Sequence, residues 1–150
     1  MPGTDAGPGT ATRPTQESSS GLDMVVPYAE QLGVRAGHKR EGDVGLHLDL
    51  RQEHLNSWQV AHGGVVMSVL DIVMGLSAKS LDEASVGATT VELKTNFIKA
   101  ATGRITARGR AQRAGRSLVF AEGELHNDAR ELVARATGTF KLRYPLKESE

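Results

Sequence analysis

At 150 residues the chain is long enough for one domain with a buried core, and 18 Lys plus Arg balance 18 Asp plus Glu, leaving no net charge. That balance provides no field to attract nucleic acid or an acidic membrane surface. With no cysteine, thiol catalysis, disulfides and thiolate metal sites are excluded.

Met1 to Gly21 is rich in Gly, Pro, Ser and Thr, which predicts a disordered tail ahead of a single domain over 22–150. It contains no apolar leader, so a cytoplasmic protein is expected. Pro27 to Leu32 suits a short helix, with Pro at its first position and Gly33 ending it. Val34 to Arg40 and Val44 to Leu50, joined by Glu41-Gly42-Asp43, predict a β-hairpin. In its second arm Leu46, Leu48 and Leu50 alternate with His47, Asp49 and Arg51, so one face is buried.

A loop from Gln52 to Ala61 leads into a long helix that runs to about Ser80. Its greasiest part, Val65 to Leu76, is interrupted by Asp71 and falls short of the ~20 residues needed to span a membrane. Asp82-Glu83-Ala84 makes a polar turn, and four strand-like runs follow: Gly87 to Ile98, Gly103 to Arg113, Ser117 to Asn127 and Leu132 to Tyr144. In the first, Val91, Leu93, Thr95 and Phe97 alternate with Thr90, Glu92, Lys94 and Asn96. The four runs are expected as successive antiparallel hairpins, giving an α+β domain in which one helix packs on a curved antiparallel sheet.

The candidate chemistry gathers in the loop and helix. Val66, Val69, Leu70, Val73 and Leu76 form one apolar face, while Gly64, Ser68, Asp71, Gly75 and Ala78 make a stripe of small residues with a single carboxylate. Gly63 and Gly64 open the helix, where the first amide N–H groups lack intrahelical partners and can meet an anion or a developing oxyanion. Asp71 can serve as base or nucleophile. It lies eight residues past Gly63, roughly 12 Å along the axis and about 80° around it, too far for one carbonyl to touch both. If both serve one reaction, the second group comes from another copy of the chain with its helix antiparallel, and the protein is a homodimer. Trp58 either walls a pocket or pins the loop. Five histidines without close ligand spacing give no metal site.

Asn56, five intervening residues, His62-Gly63-Gly64 and an acid nine positions after the histidine resemble the hotdog-fold acyl-CoA thioesterases of the PaaI-like, phenylacetate-pathway type. The resemblance continues in the run from Thr90 to Ala100 and in Ala134-Arg135-Ala136-Thr137-Gly138-Thr139-Phe140, and covers about Pro27 to Tyr144. It implies a helix wrapped by a long antiparallel sheet, dimers joined edge to edge, a homotetramer, and active sites at the dimer interface.

Carried onto this sequence, the resemblance makes Gly63 the N–H donor to the thioester carbonyl and Asp71 of the opposing chain the nucleophile or general base. Asn56 holds the thioester or the attacking water, and His62 shapes the loop and the oxyanion site. Thr90, or its neighbour Thr89, orients water or the acid. Gly64, Ser68 and Trp58 fall among the substrate-contacting positions, and Lys99, Arg113 and Arg116 are candidates for the coenzyme A phosphates. The expected activity is hydrolysis of an acyl- or aryl-CoA thioester to free acid and coenzyme A, with no cofactor beyond the coenzyme A of the substrate. The rivals are a non-catalytic acyl-CoA or acyl-acid binding protein and a hotdog dehydratase.

Overall fold

The computed structural model describes residues 19–147, and the tail expected over the first 21 residues lies outside that range except for its last three. Those three are docked: Ser20 is buried, its Oγ donates to Glu30 Oε1 at 2.7 Å, and its carbonyl accepts from Ala36 N at 2.8 Å. Helix α1 spans Pro27–Leu32 and ends at Gly33, whose φ of 87° is the left-handed geometry expected of glycine after a helix.

Strands β1 (Arg35–Arg40) and β2 (Asp43–Asp49) form the expected hairpin, followed by a 3-10 turn at Gln52–His54 and helix α2 over Gly63–Lys79. Strands β3 (Gly87–Phe97), β4 (Arg104–Arg113), β5 (Leu118–His126) and β6 (Leu132–Arg143) complete the fold. All six strands join one antiparallel sheet in the order β1-β2-β4-β5-β6-β3. Helix α2 contacts β2, β3, β4, β5 and β6. With strands ~4.8 Å apart, one helix reaches five of them only because the sheet curves round it. This is the hotdog arrangement that the resemblance implies.

One expectation fails. The strands after α2 are not four successive hairpins, because β3 pairs with β6 at the sheet edge while β4 inserts beside β2. The connection from Ile98 to Gly103 crosses the end of the sheet, fastened by Lys99 N to Val133 O, Ala61 N to Ala101 O and Leu50 N to Gly103 O. These bonds tie it to three segments distant in sequence, which local turn chemistry does not report.

The core lies between α2 and the sheet. Val66, Val69, Leu70, Val73 and Met74 of the helix meet Leu46, Leu48, Ile105, Val119, Leu125 and Phe140. Ala78 is buried as well, so it belongs to this face and not to the open stripe assigned to it from spacing. The helix comes closest at Gly109, where an added Cβ would lie 2.6 Å from both Val73 O and Ser77 Oγ; the paired strand offers Gly123 opposite. Two facing glycines therefore let the helix backbone settle onto the middle of the sheet.

The other face of the sheet is polar. Arg104 binds Asp49 at 2.6 Å, Arg108 binds Asp43 at 2.5 Å and Arg135 binds Glu124 at 2.8 Å, so acidic and basic strands alternate. The hydrogen bond from Arg108 is the main cause that holds the Asp43 carboxyl well below the usual carboxylate range, with His38 adding to it. No helix among the described residues is long and apolar enough to cross a membrane.

Candidate active site

The open side of α2 carries Gly64, Met67, Ser68, Asp71, Ile72 and Gly75, all at least partly exposed. Asp71 is half-buried and among the described residues meets one hydrogen-bond donor: Thr90 Oγ1, at 2.7 Å from Asp71 Oδ1. Strict alternation along β3 would have pointed Thr90 away from the helix, together with Glu92 and Lys94. The register instead shifts between Thr90 and Glu92, so that Thr90 pairs with Phe140 and Glu92 with Thr139. Val91 is the extra residue of a β-bulge, and it turns Thr90 onto the helix side. Val91 is consequently 61 % exposed rather than inward-facing. Thr89 points elsewhere, its Oγ1 accepting from Arg143 Nε at 2.7 Å.

Asp71 and Thr90 open onto a groove of about 250 Å³ whose walls are apolar: Met24, Val26, Ile72, Leu76, Ala88 and Phe140, with Lys79 at its margin. Met24 and Val26 come from the segment before α1, far from any motif in the sequence, and no local pattern would have placed them here.

At the other end of the helix His62 is the N-cap. Its Nδ1 accepts from Gly64 N at 2.8 Å, and its carbonyl accepts from Val65 N and Val66 N. The Gly64 N–H is thereby consumed inside the chain, whereas the Gly63 N–H has no acceptor among the described residues. An accepting Nδ1 puts the ring proton on Nε2. Gly63 faces a second groove, of about 320 Å³, lined by Asn56, Val66, Phe97, Lys99 and Val133 among others.

Asn56 organises the loop that leads there. Its Oδ1 accepts from Trp58 N at 3.0 Å and Val60 N at 3.4 Å, while its backbone N donates to Val60 O and its carbonyl accepts from Gln59 N. With Oδ1 so engaged, Nδ2 is left to donate and meets no described residue. Trp58 at the loop tip is 81 % exposed, so it does not pin the loop within this chain.

The remaining candidates scatter. Ser68 Oγ donates to Gly64 O at 2.7 Å, so the Tyr28 hydroxyl at 2.8 Å donates to Ser68; both groups are engaged inside the chain. Lys99 lines the Gly63 groove but is paired with Glu131, whose carboxyl it lowers. Arg113 is tied into a knot with Asp82 and Tyr144 beyond the far end of α2: its Nη2 donates to Tyr144 Oη at 2.7 Å, and Tyr144 donates to Asp82 at 2.8 Å. The Tyr144 bond is the largest cause that lowers the Asp82 carboxyl. Arg116 lies on the β4–β5 turn and lines neither groove.

A further hollow, of about 600 Å³, lies on the polar face of the sheet among His38, His47, Arg104, Arg108 and Glu124. Most of those charges are already paired with neighbours, and the hollow touches neither Asp71 nor Gly63.

Known proteins share sequence and fold with this chain. A sequence model of the Thioesterase superfamily matches residues 59–134. A protein of Saccharolobus solfataricus described as a candidate esterase is 30 % identical over 126 residues, which are 81 % of this chain and 89 % of that protein. The medium/long-chain acyl-CoA thioesterase YigI of Escherichia coli is 26 % identical over 133 residues, covering 78 % of this chain and 86 % of its own length. The E. coli PaaI protein of the phenylacetic acid degradation operon superimposes with a TM-score of 0.71 at 20 % identity, over 77 % of this chain and 83 % of that one, a likeness of fold.

Proposed function

Since this chain belongs to the hotdog-fold thioesterase superfamily, we propose that it hydrolyses an acyl-CoA thioester to a free acid and coenzyme A, in sites shared between two protomers. One observation carries the reading: the free Gly63 N–H and the Asp71 carboxylate open onto separate grooves of one helix. They lie ~12 Å apart along its axis. Each chain thus holds two half-sites, and a second copy with its helix antiparallel joins them into two complete ones.

In such a site the thioester carbonyl accepts from Gly63 N–H at the positive end of the helix dipole, with Asn56 Nδ2 as a second donor. Asp71 of the partner chain serves as the base that deprotonates water or as the nucleophile itself. Thr90 holds Oδ1, so Oδ2 is the oxygen left to act. The tetrahedral oxyanion collapses with cleavage of the C–S bond and the sulfur leaves as coenzyme A, taking the proton that Asp71 removed from water. Where Asp71 attacks directly, the thiolate is protonated from solvent and water then cleaves the acyl-aspartate to the free acid. A thioester is activated enough for a positioned base and a polarised carbonyl to suffice.

A homodimer is the minimum assembly. Among the described residues strand β3 has a neighbour on one side only, and Val91, Phe97 and Ile98 along that edge are more than half exposed. A row of unpaired strand groups flanked by apolar side chains suits edge-to-edge pairing with a second copy. The homotetramer implied by the resemblance would add an interface that the chemistry does not need.

The test is complementation after thiol release has been measured across an acyl-CoA panel. Gly63→Pro deletes the N–H while keeping the helix, because proline suits the first helical position and His62 already has the extended ψ of 138° required before proline. Gly63→Pro and Asp71→Asn should each be inactive. Co-expressed, they should regain one working site per mixed dimer. Recovery no greater than the sum of the two single variants would sink the shared-site reading.

A further inference from the structure

The indole of Trp58 is 81 % exposed at the tip of a loop that is itself firmly held. Leu55 bridges Ala61, Asn56 closes the loop with backbone and side-chain bonds, and Gln59 takes a φ of 61°, a strained value for a residue with a side chain. A rigid loop that presents a bare indole to water is unfavourable unless something covers it; a buried tryptophan removes roughly 150–250 Å² from solvent.

The shared-site reading fixes where that cover lies. With antiparallel helices and Gly63 level with Asp71 of the second copy, the chain preceding Gly63 runs alongside the second helix beyond its Asp71, past Gly75 and Leu76. That stretch borders the open apolar groove of about 250 Å³. Gly75 lines that groove without a side chain, and the Phe140 ring of the same chain lies 3.6 Å from where its Cβ would be, so an indole arriving there meets an apolar floor and not bare backbone. We infer that Trp58 of each protomer crosses the interface and closes the Asp71 groove of the other, forming the wall that limits acyl-chain length. The inference rests on the thioesterase reading for its substrate and on the shared-site geometry for its placement.

An acyl group whose carbonyl lies between Gly63 and Asp71 enters that groove from the Asp71 end and meets the indole. Removing the indole therefore lengthens the groove. The far end keeps Lys79 at its margin, so a longer chain gains apolar contact only as far as that cation.

Trp58 is the sole tryptophan, so its fluorescence reports this contact directly. In the assembled full-length protein, quenching by acrylamide should be several-fold weaker than in the denatured chain. Gly75→Leu, which fills the groove, should restore quenching. Trp58→Ala should raise the ratio of kcat/KM for a long over a short acyl-CoA by about tenfold. The same shift should appear in the Kd of non-hydrolysable thioether analogues. Quenching equal to that of the denatured chain, no response to Gly75→Leu, or an unchanged chain-length ratio would each overturn the inference. Were no acyl-CoA hydrolysed, the quenching and analogue-binding arms would still decide the place and role of Trp58. That failure would count against the thioesterase reading alone.

Discussion

Thr90 Oγ1 donates to Asp71 Oδ1 across 2.7 Å, linking a bulged edge strand to the middle of the central helix. The bond fixes the orientation of the one carboxylate on the open face of that helix. Thr90→Val should lower kcat by about ten- to a hundredfold, the worth of a hydrogen bond to a charged group, with a smaller change in KM. Thr90→Ser should retain most activity. Full activity in Thr90→Val would show that the hydroxyl is not what positions the carboxylate.

On the proposed mechanism Asn56 has two separable roles. Asn56→Asp keeps an oxygen to accept from Trp58 N and Val60 N but removes the Nδ2 donor, whereas Asn56→Ala removes both. The aspartate variant should melt within a few degrees of the parent while its kcat/KM falls at least about tenfold. The alanine variant should lose stability as well. Full activity in Asn56→Asp would confine Asn56 to shaping the loop.

His62 stabilises the start of α2 by accepting from Gly64 N. His62→Ala should reduce stability by about 0.5–2 kcal/mol in urea unfolding, and His62→Asn, another capping residue, should recover much of it. An Asn variant no better than Ala would show that the ring, and not its acceptor, holds the helix end.

Gly109→Ala places a Cβ 2.6 Å from Val73 O, a backbone atom that cannot swing aside. The expected loss is about 1–3 kcal/mol, as for other overpacked cores. Combining it with Ser77→Gly should recover only part, because the Val73 carbonyl remains. Unchanged stability in Gly109→Ala would mean that the helix lifts off the sheet at little cost.

Asp43 contributes to the acid limb of stability. Its carboxyl is depressed in the folded state, chiefly by the Arg108 hydrogen bond, so the unfolded chain binds this proton more readily. The contribution is therefore complete above the unfolded value of about 3.9 and is lost as pH falls toward the lower folded value. Asp43→Asn should be less stable than the parent at pH 6, and the gap should narrow by pH 3. A gap independent of pH would remove the ion pair as its cause.

Much of this was legible in the sequence. Each helix and strand was expected at nearly its observed place, because proline, glycine and alternating apolar residues mark ends and faces locally. The separation of Gly63 from Asp71 followed from helix geometry alone. What escaped was non-local. The pairing of β3 with β6 depends on which strand edge is free after β4 has joined β2. The inward turn of Thr90 depends on one extra residue, Val91, and a bulge at a valine leaves no mark in an otherwise regular alternation. Met24 and Val26 reach the Asp71 groove because Ser19 and Ser20 fasten the preceding segment to Glu30. Residue types alone do not disclose a contact of that kind.

The strand order also bears on how the molecule comes into being. Among the described residues strand β3 pairs only with β6, which emerges during synthesis after the other five strands of the sheet. Thr90 reaches its place over Asp71 through pairing with Phe140, so the carboxylate stays unguided while the hairpin and the first turns of the helix are already able to form. Chains interrupted before Leu132 would keep the helix, the acid and Thr90 but not the strand that holds Thr90 over it. Maturation of the site is thereby tied to completion of the fold.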